Sequence, residues 1–346
     1  QVKAEKLLVV AMPLAQYMAY ICMIAVCYLG GVQIVEGRLQ SGDLISFISY
    51  IGQVLSAVMM VAMMMVMLVM SRASMARITE VLAEKPSIND DDAKDIAVTD
   101  GSIEFDDVSF SYNGNPDNPN LEHIKLKIAS GETIGIIGGT GSAKSTLVQL
   151  IPRLYDVTSG AVKVAGHNVK DYKIQTLRHS VSMVLQKNVL FSGTIKENLK
   201  WGNADATDAE IEEACRAAAA DGFIKNFPDG YDTELGQGGV NVSGGQKQRL
   251  CIARALISKP KIIILDDSTS AVDTATDAAI RKALNEELSS TTTIIIAQRI
   301  ASVMDADRIV IMNEGKIDDV GTHAELMQRS EIYREVYYSQ QKGVEE

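Results

Sequence analysis

Aromatic residues are scarce in this sequence of 346 residues: they make up 5% of it, with a single Trp among them. Cysteines are also few, and the four present form neither a CxxC pair nor a dense cluster. This usage argues against a zinc site and against an extracellular fold held together by disulfides. The larger part of the chain therefore suits a reducing cytosol.

A basic excess is lacking too, because 33 Lys and Arg stand against 44 Asp and Glu, for a net charge of −11. This balance argues against a nucleic-acid partner bound through a basic face. The charges are unevenly placed: residues 1–78 carry five basic and three acidic residues, whereas residues 79–346 carry 28 and 41. With 47% apolar residues the chain can bury a substantial core, and we interpret it as two different kinds of domain joined together.

Charge is absent from two long stretches near the start of the chain. Leu7 to Leu29 is a run of 23 uncharged residues, and Leu44 to Met70 is a run of 27 that contains seven of the fifteen methionines. As a helix, the shorter run reaches about 34 Å, enough for a hydrocarbon layer of about 30 Å. The sequence therefore predicts two membrane spans, at 7–29 and 44–70. A signal peptide is the alternative for the first, but a small-residue cleavage pattern is missing and another span follows.

The basic residues orient the two spans. Lys3 and Lys6 precede the first span and Arg72 and Arg77 follow the second, whereas the connection at 30–43 holds one basic residue. By the positive-inside rule both ends face the cytoplasm, so we expect a multi-pass protein of the cell membrane, in contact with the lipid bilayer. Two helices cannot enclose a pathway and the chain begins without Met, so we expect it to be the C-terminal piece of a longer protein.

The second predicted span carries a polar stripe. Ser46, Ser49, Gln53 and Ser56 follow one another at spacings of three, four and three, with Gly52 beside them, which places them on one side of a helix. The stripe should face protein or water. It can serve helix packing or line a substrate path, and the sequence leaves both open.

Residues 79–100 are charged, contain Pro86 and lack sustained apolar periodicity, so a solvated linker is expected there. Beyond it, short β-rich runs alternate with helical stretches, which favours an α/β domain with a largely parallel sheet. The predicted strands are Ser102 to Ser111, Thr133 to Ile137, Val181 to Leu185, Ile262 to Leu265, Thr292 to Ile296 and Arg308 to Met312.

The strongest motif follows the second of these strands and opens a predicted helix at Ser145 to Arg153. It reads Gly138-Gly139-Thr140-Gly141-Ser142-Ala143-Lys144-Ser145-Thr146. Such a loop turns backbone N–H groups and a helix N-terminus toward phosphate oxygens, while Lys144 reaches the β- and γ-phosphates and Ser145 reaches Mg²⁺. Ala143 stands where the pattern GxxxxGK[ST] has its second glycine, which is harmful if that residue needs a positive φ.

Two further features strengthen the nucleotide hypothesis. The strand Ile262 to Leu265 ends in Asp266, a carboxylate placed to meet Mg²⁺ through water. Between the two motifs lies the run Val242-Ser243-Gly244-Gly245-Gln246, in which an N-cap serine and two glycines open another helix. This helix start is predicted to bind a second anion.

With these motifs, the whole chain resembles the ATP-binding cassette (ABC) exporters. The resemblance rests on several motifs in the family's order: Tyr112 as the aromatic residue that stacks on adenine, Gly138 to Thr146 as the Walker A loop, Gln186 as the Q-loop glutamine that meets Mg²⁺, Gly236 to Gly239 as the loop before the signature, Val242 to Gln246 as the signature, and Ser270 to Asp273 as the D-loop. The spans resemble the last two membrane helices of such a half-transporter.

The resemblance implies a fold, a set of domains and a set of site residues. The expected fold is an α-helical transmembrane segment followed by an α/β P-loop NTPase domain with a largely parallel sheet and a helical subdomain. The implied domains are the membrane part at 1–78, the linker at 79–100, the nucleotide-binding domain at 101–340 and a tail at 341–346. The implied nucleotide contacts are Tyr112, Gly138, Gly139, Thr140, Gly141, Ser142, Ala143, Lys144, Ser145, Thr146, Gln186, Ser243, Gly244, Gly245, Gln246 and Asp273. The implied Mg²⁺ ligands are Ser145, Gln186 and Asp266. The implied catalytic residues are Asp267, Gln298 and Lys144.

Two further positions, besides Ala143, depart from the family. Asp267 stands where the family has the glutamate that polarises the attacking water, and Gln298 replaces the family's switch histidine. The shorter carboxylate misplaces the base, and an amide cannot carry the imidazolium charge. We therefore expect this chain to bind ATP and Mg²⁺ firmly and to hydrolyse ATP slowly.

The implied working unit is a pair of nucleotide-binding domains, each holding ATP between its Walker loops and the other's signature. A slow site in this chain favours a heterodimer with a second, competent exporter half, which moves a substrate that the sequence does not identify. A slow homodimeric exporter and an ATP-gated regulatory or channel-like protein that does not pump remain the alternatives.

Overall fold

A computed structural model describes residues 2–115, 117–267, 280, 283 and 290–342. The chain divides into two compact units, Gln1–Pro86 and Ser87–Glu346.

The first unit consists of two long helices, α1 (Val2–Val35) and α2 (Ser41–Ala83). By length and composition, Pro13–Val35 and Ser41–Ala83 can each cross a membrane, with mean hydropathy of 2.0 and 2.4 in their most apolar windows. Large apolar side chains are exposed around both helices, as expected of helices whose surroundings are themselves apolar. The helices are longer than the predicted spans, because helical geometry continues beyond the uncharged runs.

The predicted linker is only partly a connection between the units. Its first residues continue α2 as far as Ala83, whereas residues 87–100 belong to the second unit. There, Asp90 Oδ1 accepts a hydrogen bond of 2.8 Å from the backbone N–H of Ile174. The Lys94 backbone N–H donates to the carbonyl of Asp171 at 2.6 Å. Asp90 thus caps a helix and Lys94 forms an isolated β-bridge with Tyr172, and neither contact produces an apolar periodicity in the sequence.

The second unit is built on a six-stranded sheet in the order β12-β11-β3-β10-β9-β6. The strands are β3 (Thr133–Gly138), β6 (Val181–Val184), β9 (Ile262–Asp266), β10 (Thr292–Ile296), β11 (Arg308–Asn313) and β12 (Lys316–Gly321). Five of them run parallel, and β12 pairs with β11 in the antiparallel sense. The carboxyl ends of β3, β6, β9 and β10 therefore share one edge of the sheet.

Alternate side chains of the sheet pack into two separate hydrophobic clusters. Ile262 and Ile264 lie in one buried cluster, whereas Ile263 and Leu265 lie in the other. Side chains alternate between the faces of a strand, so the unbroken apolar run means that both faces of β9 are covered. This burial holds the sheet rigid beneath the loops at its carboxyl edge.

An antiparallel sheet in the order β2-β1-β4-β5 covers one side of this unit. Its strands are β1 (Ile103–Phe110), β2 (Leu121–Ile128), β4 (Ser159–Val164) and β5 (His167–Asn168), and a separate short pair consists of β7 (Gly193–Thr194) and β8 (Glu234–Leu235). Among these strands, only β1 was predicted, and it belongs here rather than to the parallel sheet. The alternation of buried and exposed residues along β2 is the signal that could have identified this sheet.

Helices pack on the parallel sheet and form a helical layer in which α5 and α6 contact α8. Their bounds are α3 (Lys144–Gln149), α4 (Ile174–Ser180), α5 (Ile195–Lys200), α6 (Asp208–Ala217), α7 (Asp221–Ile224) and α8 (Gly244–Ile257). Two more helices, His323–Arg329 and Glu331–Lys342, end the described chain. Short 3₁₀ turns lie at Val169–Asp171, Gly230–Asp232, Gln237–Gly239 and Ile300–Ser302.

Candidate nucleotide-binding site

The glycine-rich loop joins β3 to α3, which is the strand, loop and helix arrangement that its sequence predicts. Gly138 and Gly141 have φ of +156° and +84°, and a side chain at Gly138 would collide with the Met312 carbonyl. Ala143 is the N-cap of α3, and it adopts the left-handed conformation with φ +68° and ψ +24°. The residue that departs from the motif thus occupies a position that favours glycine.

Lys144 lies at the centre of this loop. Its Nζ donates hydrogen bonds to the carbonyls of Gly138 and Gly139, each at 2.8 Å, and to Ser142 Oγ at 3.2 Å. Burial lowers the pKa of the ammonium group, and the two nearby carboxylates of Asp266 and Asp267 oppose that shift. The geometry concentrates one positive charge where the loop curves around it, as phosphate binding requires.

Asp266 ends β9 and is buried, with 5% of its surface exposed. Burial raises its pKa, and the charge of Asp267 adds to this effect, whereas the Ser145 hydroxyl, by hydrogen bonding to it, and the ammonium of Lys144 lower it. An ionised carboxylate in this place needs a compensating cation.

The oxygen atoms of Ser145 and Asp266 fit Mg²⁺, a hard cation that proteins commonly hold through one or two side chains together with water and substrate phosphates. Within the described part of the chain, no group of three or more His, Cys, Asp or Glu could hold a metal ion. This is consistent with a cation whose remaining ligands come from the nucleotide and from water.

The carboxyl ends of three adjacent strands bring Gln186, Asp267 and Gln298 together. Asp267 Oδ2 accepts a hydrogen bond from Gln186 Nε2 at 3.2 Å and another from Gln298 Nε2 at 2.9 Å. Asp267 itself has φ +47°, and its backbone N–H donates to the Ile296 carbonyl at 2.9 Å. These side chains lie close together because β9 pairs in parallel with both β6 and β10.

Tyr112 lies beside the first turn of α3. Its hydroxyl is 3.1 Å from Thr146 Oγ1, and 48% of the residue is exposed. The ring makes edge contacts with Phe110 and Tyr155, at centroid distances of 4.8 and 5.0 Å. An exposed aromatic side chain next to the phosphate loop is suitable for stacking on a base. Sequence reasoning missed Tyr155, which no recognisable motif marks.

The predicted signature forms the start of α8 in the helical layer. Ser243 Oγ accepts from the backbone N–H of Gln246 at 3.3 Å, and Gln246 Oε1 accepts from the backbone N–H of Ser243 at 2.9 Å. This is a capping box, so a glutamine three residues after the serine has a local reason. Gly244 and Gly245 are the first two residues of this helix, and neither carries a side chain that could hinder approach to the helix start.

One predicted segment lies outside the described residues, namely the D-loop at 270–273 with Asp273. Conversely, the sequence analysis missed Gln340, in the helix Glu331–Lys342. Its Oε1 accepts from the Ile300 backbone N–H at 2.9 Å, and its Nε2 donates to the Gln298 carbonyl at 2.7 Å. Nothing in the local sequence marks this glutamine, because its partners lie some 40 residues away.

Comparison with known proteins is consistent with this geometry. Residues 121–270 match the ABC transporter family model. An uncharacterized ABC transporter ATP-binding protein of Bacillus subtilis (strain 168), YfiB, is 40% identical over 342 residues, which are 98% of this chain and 58% of the relative. A candidate multidrug export ATP-binding/permease protein of Staphylococcus aureus (strain NCTC 8325 / PS 47) is 44% identical over 315 residues, or 91% of this chain and 54% of the relative.

The structure of a bacterial Atm1-family ABC exporter with ATP bound is similar to this chain with a TM-score of 0.87 and 30% identity, covering 98% of this chain and 60% of that chain. This chain therefore spans less than two thirds of the length of each of these three relatives. The fold class expected from the sequence is confirmed: a helical segment with two apolar helices precedes an α/β domain with a largely parallel sheet, and the chain is similar in fold to that exporter structure.

Proposed function

We propose that this chain, an ABC nucleotide-binding domain preceded by two apolar helices, is the ATP-binding and ATP-hydrolysing part of an exporter subunit. Closure of two such domains around ATP would drive the attached membrane helices, and hydrolysis would release the closed state. The observation that carries the proposal is the convergence of Lys144, Asp266 and Asp267 at one edge of the parallel sheet. The names of the relatives, an exporter and a candidate multidrug export protein, support export.

Different residues would bind the phosphates, the adenine and Mg²⁺. The loop at 138–146 and Lys144 would hold the β- and γ-phosphates, and Tyr112 would stack on the adenine. Ser145, Asp266 and Gln186 would hold Mg²⁺, which supplies charge neutralisation for the phosphate oxygens when bound. Asp267 is then the carboxylate available to polarise water.

The same geometry supports slow turnover at this site. Both amide donors, Gln186 Nε2 and Gln298 Nε2, reach the same oxygen of Asp267. These bonds orient a carboxylate that is one methylene shorter than glutamate, and a misplacement of about 1 Å can lower the rate on the order of a hundredfold. In addition, Gln298 is neutral, so it cannot place a positive charge against a γ-phosphate.

A chain whose own ATP site is slow can still contribute to hydrolysis when its signature completes the faster ATP site of a partner chain. Two opposed helix N-termini and a lysine can grip a triphosphate only when two domains meet, so each chain supplies half of two sites. The signature of this chain is a well-formed helix start, with its capping box complete. We therefore propose a heterodimer, with the competent catalytic residues on the second exporter half and both domains on the cytoplasmic side of the membrane.

Steady-state ATP turnover tests this division of labour. We propose to purify the full-length protein with the exporter half that accompanies it, and to replace by glutamine the partner's residue at the position of Asp267. Turnover should fall on the order of a hundredfold, as expected when the catalytic base is lost. The matched change in this chain, Asp267→Asn, should alter turnover less than twofold.

Two outcomes would overturn the proposal. Undiminished hydrolysis after the partner's change would exclude the division of labour. Isolation of this chain paired only with itself would exclude the heterodimer. A Lys144→Ala variant serves as the binding control, because it should abolish ATP binding at this site and leave the fold in place.

A further inference from the structure

The last described helix, Glu331–Lys342, reaches back to the candidate site through one side chain. The Gln340 amide bonds with both of its ends: Oε1 accepts from the Ile300 backbone N–H at 2.9 Å, and Nε2 donates to the Gln298 carbonyl at 2.7 Å. A single side chain therefore fixes two backbone groups of the segment that follows β10. We call residues 298–302 the switch segment.

The helix that carries Gln340 is itself held by the core. Tyr333 is fully buried, and its hydroxyl lies 2.7 Å from His323 Nδ1. Val336 and Tyr337 pack against the same buried cluster. Since residues at i, i+3, i+4 and i+7 share one face of a helix, Gln340 continues this packed face by one further turn.

The opposite end of the connection is the reaction centre. Gln298 is exposed, yet its side-chain Nε2 donates to Asp267 Oδ2 at 2.9 Å. Ile300, two residues further along the chain, is 1% exposed and anchors the segment in the core. The backbone position of Gln298 thus depends on Ile300 from within and on Gln340 from the C-terminal helix.

We propose that Gln340 is a positioning residue for ATP hydrolysis, which it supports by holding the switch segment so that Gln298 stays aligned with Asp267. This inference rests on the proposed function, because it concerns turnover at the same site.

The neighbouring residue offers a matched control. Gln341 lies on the same helix, and its Nε2 donates to the Tyr337 hydroxyl at 2.7 Å, so it has a bond of the same kind within the helix. Gln341→Ala removes an amide of equal size without touching the switch segment. Gln340→Glu is a graded variant, because a carboxylate still accepts from the Ile300 N–H but cannot donate to the Gln298 carbonyl.

Amide hydrogen exchange of residues 298–302 in the full-length protein measures how firmly Gln340 holds the switch segment. This measurement does not depend on ATP hydrolysis. Gln340→Ala should speed exchange in this segment about tenfold, since loss of a hydrogen bond of about 1.4 kcal/mol corresponds to that factor. Gln340→Glu should lie between this variant and the wild type, and Gln341→Ala should match the wild type. Unchanged exchange in Gln340→Ala would overturn the inference.

Kinetics then tests the consequence for catalysis. In a background where the partner half lacks its catalytic carboxylate, the remaining turnover belongs to the site of this chain. Gln340→Ala should lower kcat about tenfold and change KM for ATP less than twofold, because the phosphate loop that binds ATP is untouched. An unchanged kcat, or a rise in KM alone, would overturn the positioning role.

The two measurements separate this inference from the proposed function. If the wild-type protein shows no hydrolysis at this site, the proposed function of the site fails. The exchange experiment still decides whether Gln340 holds the switch segment.

Discussion

The left-handed conformation of Ala143 is a backbone feature with a measurable consequence. Alanine at φ +68° is strained by the contact between its Cβ and the backbone, and glycine is not. We expect Ala143→Gly to stabilise the second unit by about 1 kcal/mol, which corresponds to a rise in Tm of about 2–4 °C for a domain of this size. Thermal unfolding of the purified protein would measure it.

A matched alanine distinguishes relief of strain from a general effect of glycine. Ala161 lies in the extended strand β4, where glycine adds only freedom to the unfolded chain. Ala161→Gly should therefore lower Tm. A Tm that falls in both variants would show that residue 143 is not strained.

Asp267 allows a direct test of the carboxylate's reach. Asp267→Glu adds one methylene and extends the acid toward the water that we propose it polarises, so turnover at this site should rise at least tenfold. Asp267→Asn is the matched variant without a base, and it should lower the same turnover. The assay is ATP hydrolysis with the partner's catalytic carboxylate removed, together with a separate measurement of ATP binding.

The interpretation of Asp267 would be contradicted by one result. If Asp267→Glu binds ATP as the wild type does and turns it over no faster, the limitation lies elsewhere. Gln298 and Ala143 would then be the residues to change.

The starts of α8 and α6 allow the effect of a helix cap on stability to be separated from its effect on ATP turnover. Both α8 and α6 begin with a capping box, in which Ser243 Oγ and Thr207 Oγ1 each accept from a backbone N–H at 3.3 Å. Ser243→Ala and Thr207→Ala should each reduce stability by about 1 kcal/mol. Only Ser243→Ala should also reduce ATP turnover by the assembled pair, because only that helix start would face a triphosphate.

Stability and turnover therefore have to be measured on both variants. Equal losses of turnover would mean that Ser243 acts only as a cap. In that case the proposed role of the signature would be wrong, while the cap would stand.

The elements also differ in how readily the sequence reveals them. The six predicted strands are all present, because apolar and β-branched runs such as Thr292–Ile296 suit strands that are buried on both faces of a sheet. The strand Leu121–Ile128 was missed although its residues alternate, since Lys and Glu on its exposed face lower its apolar content. The predicted helix at Ser145 to Arg153 ends at Gln149 instead, and Arg153 adopts φ +50°.

At the scale of the whole molecule, the orientation of the two apolar helices can be tested by labelling. The proposed topology places the turn between α1 and α2 outside and residue 87 inside. In a background without the four native cysteines, Arg38→Cys should react with a membrane-impermeant maleimide in intact cells. Ser87→Cys should react only after the membrane is permeabilised, and the reverse pattern would contradict the orientation.

The chain's local chemistry could be inferred from residue order alone. The phosphate loop, the acidic pair Asp266 and Asp267 and the two apolar helices are each made of neighbours in the sequence, so a short window contains all the information that forms them. The same is true of the motif departure at Ala143, although its left-handed φ came from the structure.

The assembly of the site depended on the folded chain. Gln186 and Gln298 meet one oxygen of Asp267 across sequence separations of 81 and 31 residues, and Gln340 reaches Gln298 across 42. No spacing rule relates residues so far apart, because the pairing order of the parallel strands and the packing of the last helix on the core set those distances. Only the three-dimensional arrangement could show that an unremarked glutamine supports the switch segment.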